Sequence, residues 1–202
     1  MKKLILFVIL QQYADWEAAY ISSAISMLGQ GKYDIKTVSL SKESVCSIGG
    51  FQVMPDYDLS TMPESYEALI LIGGLSWRGE NTQKIGELAR DCVQKKKLLG
   101  GICDAAAFLG TAGVLNHAVH TANDLNDLKQ WAKDAYTGEE NFIAKQAVCD
   151  RNIVTANGTA PLEFAKEILF ALHAADEKAI TEWYNFHKLG VYTVPMPGAA
   201  QK

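Results

Sequence analysis

LLGGICDAAAFL, residues 98–109, is a short apolar run that passes through two glycines and Cys103 into an alanine-rich segment. The pattern predicts a strand that turns sharply into a helix. Cys103 would lie at the junction, where the positive end of the helix dipole favours a thiolate. The thiolate is the reactive form of cysteine, so Cys103 is the strongest candidate for chemistry in the chain. A buried structural cysteine would also suit this position.

Further apolar strands are expected on both sides of this stretch, separated by segments with helical periodicity. Fully apolar strands that alternate with helices indicate a parallel sheet covered on both faces. We therefore predict an α/β fold, a three-layer αβα sandwich with a flavodoxin-like, mostly parallel sheet and an added hairpin. The predicted strands are residues 4–10, 33–40, 68–72, 97–102, 147–150 and 153–156, with a further turn or hairpin at 45–53.

The composition favours one globular domain over residues 1–202, although the length alone also allows two small ones. The net charge is −4 and the longest basic run is only Lys95 to Lys97, so no nucleic-acid partner is expected. No stretch approaches the ~20 apolar residues of a membrane span. Met1 to Leu10 resembles the start of a secretory signal, but it is short and no small-residue cleavage site follows.

The four cysteines, Cys46, Cys92, Cys103 and Cys149, are widely spaced. No C-x-x-C pair and no Cys/His cluster at zinc spacing is present, so neither a metal nor a cofactor is expected. This usage fits a reducing, cytoplasmic location. Cys92 falls on an apolar helical stripe, which predicts a core residue.

Two other features follow strand ends and should reach the same edge of the sheet as Cys103. Glu17 lies in the first turn of the helix after residues 4–10, and Gly73 and Gly74 directly follow residues 68–72. Open parallel sheets place their ligands at this edge. A favourable charge at a helix N-terminus would also explain Glu17, and a simple tight turn would explain the glycines.

The order and setting of these features resemble the ThiJ/PfpI superfamily, the class I glutamine amidotransferase-like group that includes deglycases, intracellular proteases and stress proteins. The resemblance extends from LILFVIL at residues 4–10 to EFAKEIL at residues 163–169. It implies that Cys103 is the nucleophile or oxidation-sensitive thiol and that Glu17 hydrogen-bonds its sulfur. It also implies that the N–H groups of Gly74 and Asp104 form an oxyanion hole.

The chain departs from the family pattern in its histidines. Asp104 directly follows Cys103, where active members commonly have histidine, and Ala122 and Asn123 occupy the place of a second histidine. A shifted alignment would bring His120 near, although its pattern favours a strand residue. Thr159 to Pro161 replace the amidotransferase histidine and glutamate. A carboxylate beside Cys103 opposes a thiolate, so hydrolytic power is expected to fall.

Three functions remain open at this point. The first is a cysteine-dependent hydrolase-like enzyme, of protease/amidase or glyoxalase/deglycase type, acting on a small molecule or peptide. The second is a redox-responsive stress protein with little catalysis, and the third is a module that binds a small ligand. The amphipathic final helix and the family pattern favour a homodimer, and a higher homo-oligomer stays open. The candidate pocket residues are Gly73, Trp16, Trp77, Arg78, His120 and Asn123, of which the tryptophans and Arg78 also fit ordinary surface and packing roles.

Overall fold

The computed structural model describes residues 2–197 and contains one large sheet flanked by helices. The sheet has seven strands in the order β5-β2-β1-β6-β7-β9-β8, and every pair is parallel except β8 with β9. The strands are β1 (Lys3–Val8), β2 (Tyr33–Ser39), β5 (Tyr57–Asp58), β6 (Ala68–Leu71), β7 (Leu98–Ile102), β8 (Ala147–Asp150) and β9 (Ile153–Ala156). The predicted α/β class and mostly parallel sheet are confirmed.

Helices cover both faces of this sheet. Alternate residues of β1 point to opposite faces, so Ile5 and Phe7 join one buried cluster while Leu6 and Val8 join the other. The helices of the first face are α1 (Asp15–Leu28), α5 (Pro161–Ala171) and α6 (Glu177–Leu189). Those of the second face are α2 (Gln83–Gln94), α3 (Asp104–Thr111) and α4 (Leu125–Ala132). The result is the three-layer arrangement predicted from the sequence.

Between β1 and β6 the order in which the chain adds strands to the sheet changes direction. Strand β2 lies outside β1 on one side, whereas β6, β7 and β9 follow one another on the other side. Such a switch point leaves a crevice at the carboxyl ends of the strands. The segments that follow β1, β6 and β7 all begin at this edge, so the fold brings Glu17, Gly73 and Cys103 to one place.

Several local features complete the fold. Asp15 is the first residue of α1, and its carboxylate accepts a hydrogen bond from Gly49 N. Asn81 lies within a short 3-10 helix ahead of α2. The hairpin of β3 (Val45–Cys46) and β4 (Gln52–Val53) forms a separate two-stranded sheet. His120, whose sequence pattern favours a strand residue, forms an isolated bridge to Phe142 and lies outside the strands of the sheet.

The apolar side of α6 packs within the chain. Ile180 and Trp183 are buried in the cluster that also holds α5, and the Trp183 ring meets Tyr20 of α1 edge-on. The predicted amphipathicity of this helix is therefore explained by intramolecular packing, and it no longer argues for a dimer. Within residues 2–197, no helix combines the length and the apolar character needed to cross a membrane.

Candidate functional site

Cys103 occupies a strained turn between β7 and α3. Its backbone has φ 59° and ψ −130°, a combination that non-glycine residues rarely adopt. The turn is held because Cys103 N donates to Ala156 O of β9, at 3.0 Å, and Cys103 O accepts from Ala106 N of α3, also at 3.0 Å. Strain of this kind persists only where surrounding structure enforces it, and it concentrates at functional sites.

Glu17 lies beside this turn and is fully buried. One carboxyl oxygen, Oε2, accepts a hydrogen bond of 2.8 Å from Gly73 N, whereas Oε1 is buried with no hydrogen-bond partner among residues 2–197. Burial raises the pKa of Glu17 to about 7, against the lowering effects of Gly73 N–H and the Cys103 thiol. The carboxyl and the thiol thus affect each other's titration, although no hydrogen bond of ordinary geometry joins them. Glu17 can therefore hold or release a proton near neutral pH.

The Asn123 side chain contacts the Cys103 sulfur directly. Its Nδ2 donates to Sγ at 3.4 Å, and its Oδ1 accepts from Gly158 N at 2.8 Å. The amide is therefore held by the backbone of the loop between β9 and α5 while it faces the sulfur. An asparagine amide can donate a hydrogen bond but cannot take up a proton. It orients the sulfur, and it cannot replace a histidine as an acid or base.

The pKa of the Cys103 thiol is raised, which overturns the expectation that the helix N-terminus would favour the thiolate. Burial is the largest cause, and the Glu17 and Asp104 carboxyls raise the pKa further. Hydrogen bonds from Asn123 and from Asp104 N–H act in the opposite direction but do not outweigh them. At neutral pH the sulfur is therefore mostly protonated, and its proton must be removed during any reaction.

The two backbone N–H groups expected to form an oxyanion hole belong to Asp104 and Gly74. Asp104 N–H begins α3 and acts on the Cys103 sulfur. Gly74 has φ +145°, and a Cβ there would lie 2.6 Å from Tyr13 Cα, so only glycine fits. Neighbouring groups hold this strand end, since Ala14 N donates to Gly73 O and Leu75 N donates to Gln12 O.

The predicted pocket residues separate into two groups. Trp16 is 46% exposed and its Nε1 donates to Gly158 O at 3.4 Å, which puts it at the rim of the site. The prediction that Trp77 lines the pocket is wrong, because the residue is 1% exposed. Its ring packs on Phe108, and its Nε1 donates to Ile72 O. It is a core residue of the second face.

His120 is also excluded from contact with the sulfur. The ring is fully buried, with Nδ1 2.7 Å from Ala118 O and Nε2 2.7 Å from the Tyr136 hydroxyl. Both nitrogens are thus occupied, and burial lowers the pKa of His120, which keeps it neutral. The shifted alignment that would make His120 the second histidine does not hold.

A cavity of about 550 Å³ opens beside Asn123. Its size falls within the range of small-molecule sites. Apolar and amide side chains line it together with one lysine and one aspartate, chiefly Asn123, Leu125, Phe142, Lys145, Gln146 and Asn157. Across residues 2–197 no three His, Cys, Asp or Glu side chains are grouped so as to hold a metal ion.

Gly158 is a site residue that the sequence analysis missed. A Cβ at this position would lie 2.8 Å from Cys103 Sγ, so the absence of a side chain makes room for the sulfur. The stretch ANGTAP, residues 156–161, carried a usable signal, because a glycine follows a strand end and precedes a helix there. Its distance of 55 residues from Cys103 hid the contact.

Replacing Gly73 with alanine is expected to destabilise the fold by about 3 kcal/mol, and to lower the melting temperature by about 6–12 °C. A Cβ there would lie 2.5 Å from Glu17 Oε2 and 2.6 Å from both Cys103 Cβ and Ile102 O. Gly79→Ala is the control, because its Cβ meets only Ser76 O at 3.4 Å. Equal melting temperatures for the two variants would contradict this packing.

Comparison with known proteins places the chain among proteins of the same architecture. The model of the DJ-1/PfpI family matches residues 3–171. The uncharacterized protease YdeA of Bacillus subtilis is 38% identical over 95% of this chain and 94% of its own length. The structure of a DJ-1 superfamily protein from Agrobacterium tumefaciens is 36% identical, with a TM-score of 0.83 over 93% of this chain and 98% of that one. A thiJ/pfpI family protein from Bacillus anthracis is 32% identical, with a TM-score of 0.85 over 93% and 91% of the two chains.

Proposed function

Because the chain belongs to the DJ-1/PfpI family, we propose that it is a cysteine-dependent enzyme in which Cys103 attacks a small carbonyl or acyl compound. One observation carries the proposal. The buried Glu17 carboxyl, with a pKa of about 7 and one unpaired oxygen, lies against a strained cysteine at the sheet edge where such folds bind ligands.

In the proposed reaction, ionised Glu17 takes the proton from the Cys103 thiol as Sγ bonds to the carbonyl carbon. The electron pair of the C=O π bond moves to the oxygen, where the N–H groups of Gly74 and Asp104 stabilise the negative charge. Glu17 then returns its proton to that oxygen, which leaves a neutral hemithioacetal with an aldehyde substrate. Because Glu17 both takes and returns the proton, formation of this adduct needs no histidine.

Small carbonyl compounds suit this arrangement better than peptides. Cleaving an amide also requires an acid for the leaving nitrogen and a base for the attacking water. Among the described residues, Asn123 takes the place at Sγ where a histidine could do both. Because the relative from Bacillus subtilis is named as a protease, amide hydrolysis remains the second substrate class to assay.

The test is turnover by the purified protein. We expect consumption of methylglyoxal or of glycated thiols that depends on Cys103, with slower or no cleavage of small peptide amides. If none of these compounds is consumed in a Cys103-dependent way, the protein is not an enzyme of this kind. If only the amides are cleaved, the protein is an enzyme of the protease/amidase type and not one that acts on carbonyl compounds.

A second candidate function is redox response, and the unpaired Glu17 Oε1 favours it. A hydroperoxide would oxidise Cys103 from thiol to sulfenic acid as its O–O bond breaks, with water or an alcohol leaving. Protonated Glu17 can donate a hydrogen bond to the new oxygen. Further oxidation to sulfinic acid consumes a second hydroperoxide.

Mild hydrogen peroxide is therefore expected to add oxygen first at Cys103, measured by peptide mass spectrometry. Cys149 is the internal control, because it is exposed yet lies on β8 away from the Glu17 carboxyl. Cys46 is a second comparison, since its sulfur is partly buried and donates a hydrogen bond to Ser47 O. Oxidation of all three at similar rates would show that Cys103 is not tuned for this reaction.

We propose a homodimer in the cytoplasm as the working form. The apolar side chains Ile48, Phe51 and Leu75 are 41%, 68% and 67% exposed, and their segments adjoin the turn at Gln12 and Tyr13. Exposed apolar side chains close together favour association with another protein surface. The four cysteines are all free, which supports a reducing compartment. Light scattering tests the dimer, and a monomer at micromolar concentration would contradict it.

A further inference from the structure

Arg78 joins three segments around the Cys103 turn. From the loop after β6, its Nε donates to Asp104 Oδ2 at 3.1 Å, and Asp104 directly follows the nucleophilic cysteine. Its two terminal nitrogens donate to Asp127, in the first turn of α4, at 3.1 and 2.6 Å. The guanidinium lies 4.6 Å from the centre of the Trp131 ring.

These contacts hold the guanidinium in one orientation. A planar guanidinium can bind two carboxylates at once and stack on an aromatic ring, which a lysine ammonium cannot match. The pair with Asp127 makes two hydrogen bonds, and the ring covers one face. Arg78 therefore presents its remaining edge to Asp104 without having to be ordered first.

The Arg78–Asp104 pair affects the charge beside the Cys103 sulfur. Glu17 of α1 and Asp104 of α3 are the two carboxyls that act on Cys103, while Asn123 and Gly158 are neutral. Asp127 of α4 lies one contact further out, on Arg78. An unpaired Asp104 would oppose removal of the thiol proton, as the sequence alone suggests. The structure supplies a cation that pairs with this carboxylate, although the carboxylate still raises the thiol pKa.

We propose that Arg78 is a positioning residue of the Cys103 site, which binds the Asp104 carboxylate and offsets its negative charge beside the sulfur. Asp127 opposes this effect, because its carboxylate pairs with the same guanidinium and offsets part of its positive charge. In this chain Arg78 thus supplies the positive charge that a histidine after the cysteine would otherwise provide. The proposal rests on Cys103 being the nucleophile of the proposed function.

Iodoacetamide alkylation of Cys103 across pH tests the proposal, because this stoichiometric reaction reports the thiolate and needs no turnover. The alkylation rate plotted against pH has a midpoint that reports the thiol pKa. Arg78→Gln is expected to move this midpoint to higher pH and to slow alkylation at pH 7.5 about threefold to tenfold. Arg78→Lys should lie between Arg78→Gln and the wild type. Asp127→Asn should move the midpoint the other way, by a smaller amount.

Two further variants distinguish an effect of Arg78 through Asp104 from a general effect of surface charge. Lys129→Gln removes a surface cation from the same helix as Asp127, where Lys129 pairs with Glu139, and should leave the midpoint unchanged. In an Asp104→Asn background, Arg78→Gln should have little further effect if it acts through Asp104. If Arg78 only stabilised the fold, Arg78→Gln would lower the melting temperature and leave the midpoint of alkylation unchanged.

The proposal is overturned if Arg78→Gln and Asp127→Asn shift the midpoint in the same direction, if neither shifts it, or if the full effect of Arg78→Gln persists without Asp104. A wild-type protein with no turnover but with these opposite shifts would refute the proposed enzyme and leave the role of Arg78 standing.

Discussion

Cys103→Ser is expected to abolish turnover of carbonyl substrates, on the order of a thousandfold or more in kcat/KM. A serine hydroxyl holds its proton far more tightly than a thiol, and Glu17, with a pKa of about 7, is too weak a base to remove it. Serine has nearly the same shape as cysteine and can accept the hydrogen bond that Asn123 donates to the sulfur. The fold should therefore be retained, so lost activity reports chemistry.

Cys149→Ser is the matched control. Cys149 is exposed on β8, and the same atom change there leaves the turn after β7 untouched. We expect wild-type kcat/KM for this variant and an unchanged melting temperature for both, measured by steady-state kinetics and thermal unfolding. Residual activity of Cys103→Ser within tenfold of wild type would show that the sulfur is not the nucleophile.

Glu17→Gln is expected to change turnover and thiol reactivity in opposite directions. Turnover should fall about a hundredfold, because glutamine cannot take up or return the proton. Alkylation of Cys103 should become faster, because the Glu17 carboxylate raises the pKa of the thiol and its negative charge is removed. Glutamine can still accept the hydrogen bond from Gly73 N, so the side chain should stay in place.

The pH dependence of the wild type follows from the same group. Because only ionised Glu17 can accept the thiol proton, kcat/KM should rise with pH through about 7, the pKa of Glu17. This ascending limb should be absent in Glu17→Gln. Asp15→Asn is the control, since it removes a carboxylate from the same helical turn but one that accepts from Gly49 N. A Glu17→Gln variant with wild-type turnover and the same limb would remove Glu17 from the mechanism.

Glu17 also links stability to pH. Its pKa is raised on folding from 4.5 to about 7, so the folded state binds the extra proton between these values. The stabilisation is complete below pH 4.5 and is lost as pH rises through about 7. Relative to Glu17→Gln, the wild type should therefore lose stability over this interval, measured by denaturant unfolding at several pH values.

The architecture was predictable because it depends on local patterns. Apolar runs such as residues 68–72 mark strands buried on both faces, and their alternation with amphipathic helices leaves few possible topologies. The hairpin of β8 and β9 was also predictable, because only Arg151 and Asn152 separate its two short strands. Both residues adopt the positive φ that a two-residue hairpin turn favours. Because the carboxyl ends of parallel strands share one edge, the meeting of Glu17, Gly73 and Cys103 also followed from the sequence.

The surroundings of the sulfur were decided only by the tertiary structure. Asn123 and Gly158 reach Cys103 from loops that are distant in sequence, and Arg78 reaches Asp104 from the loop after β6. Trp77 and Arg78 are adjacent, yet one is core and the other binds two carboxylates. The thiol pKa is set by burial and by charges from separate segments. Such effects depend on distances through space, which periodicity and spacing along the chain do not encode.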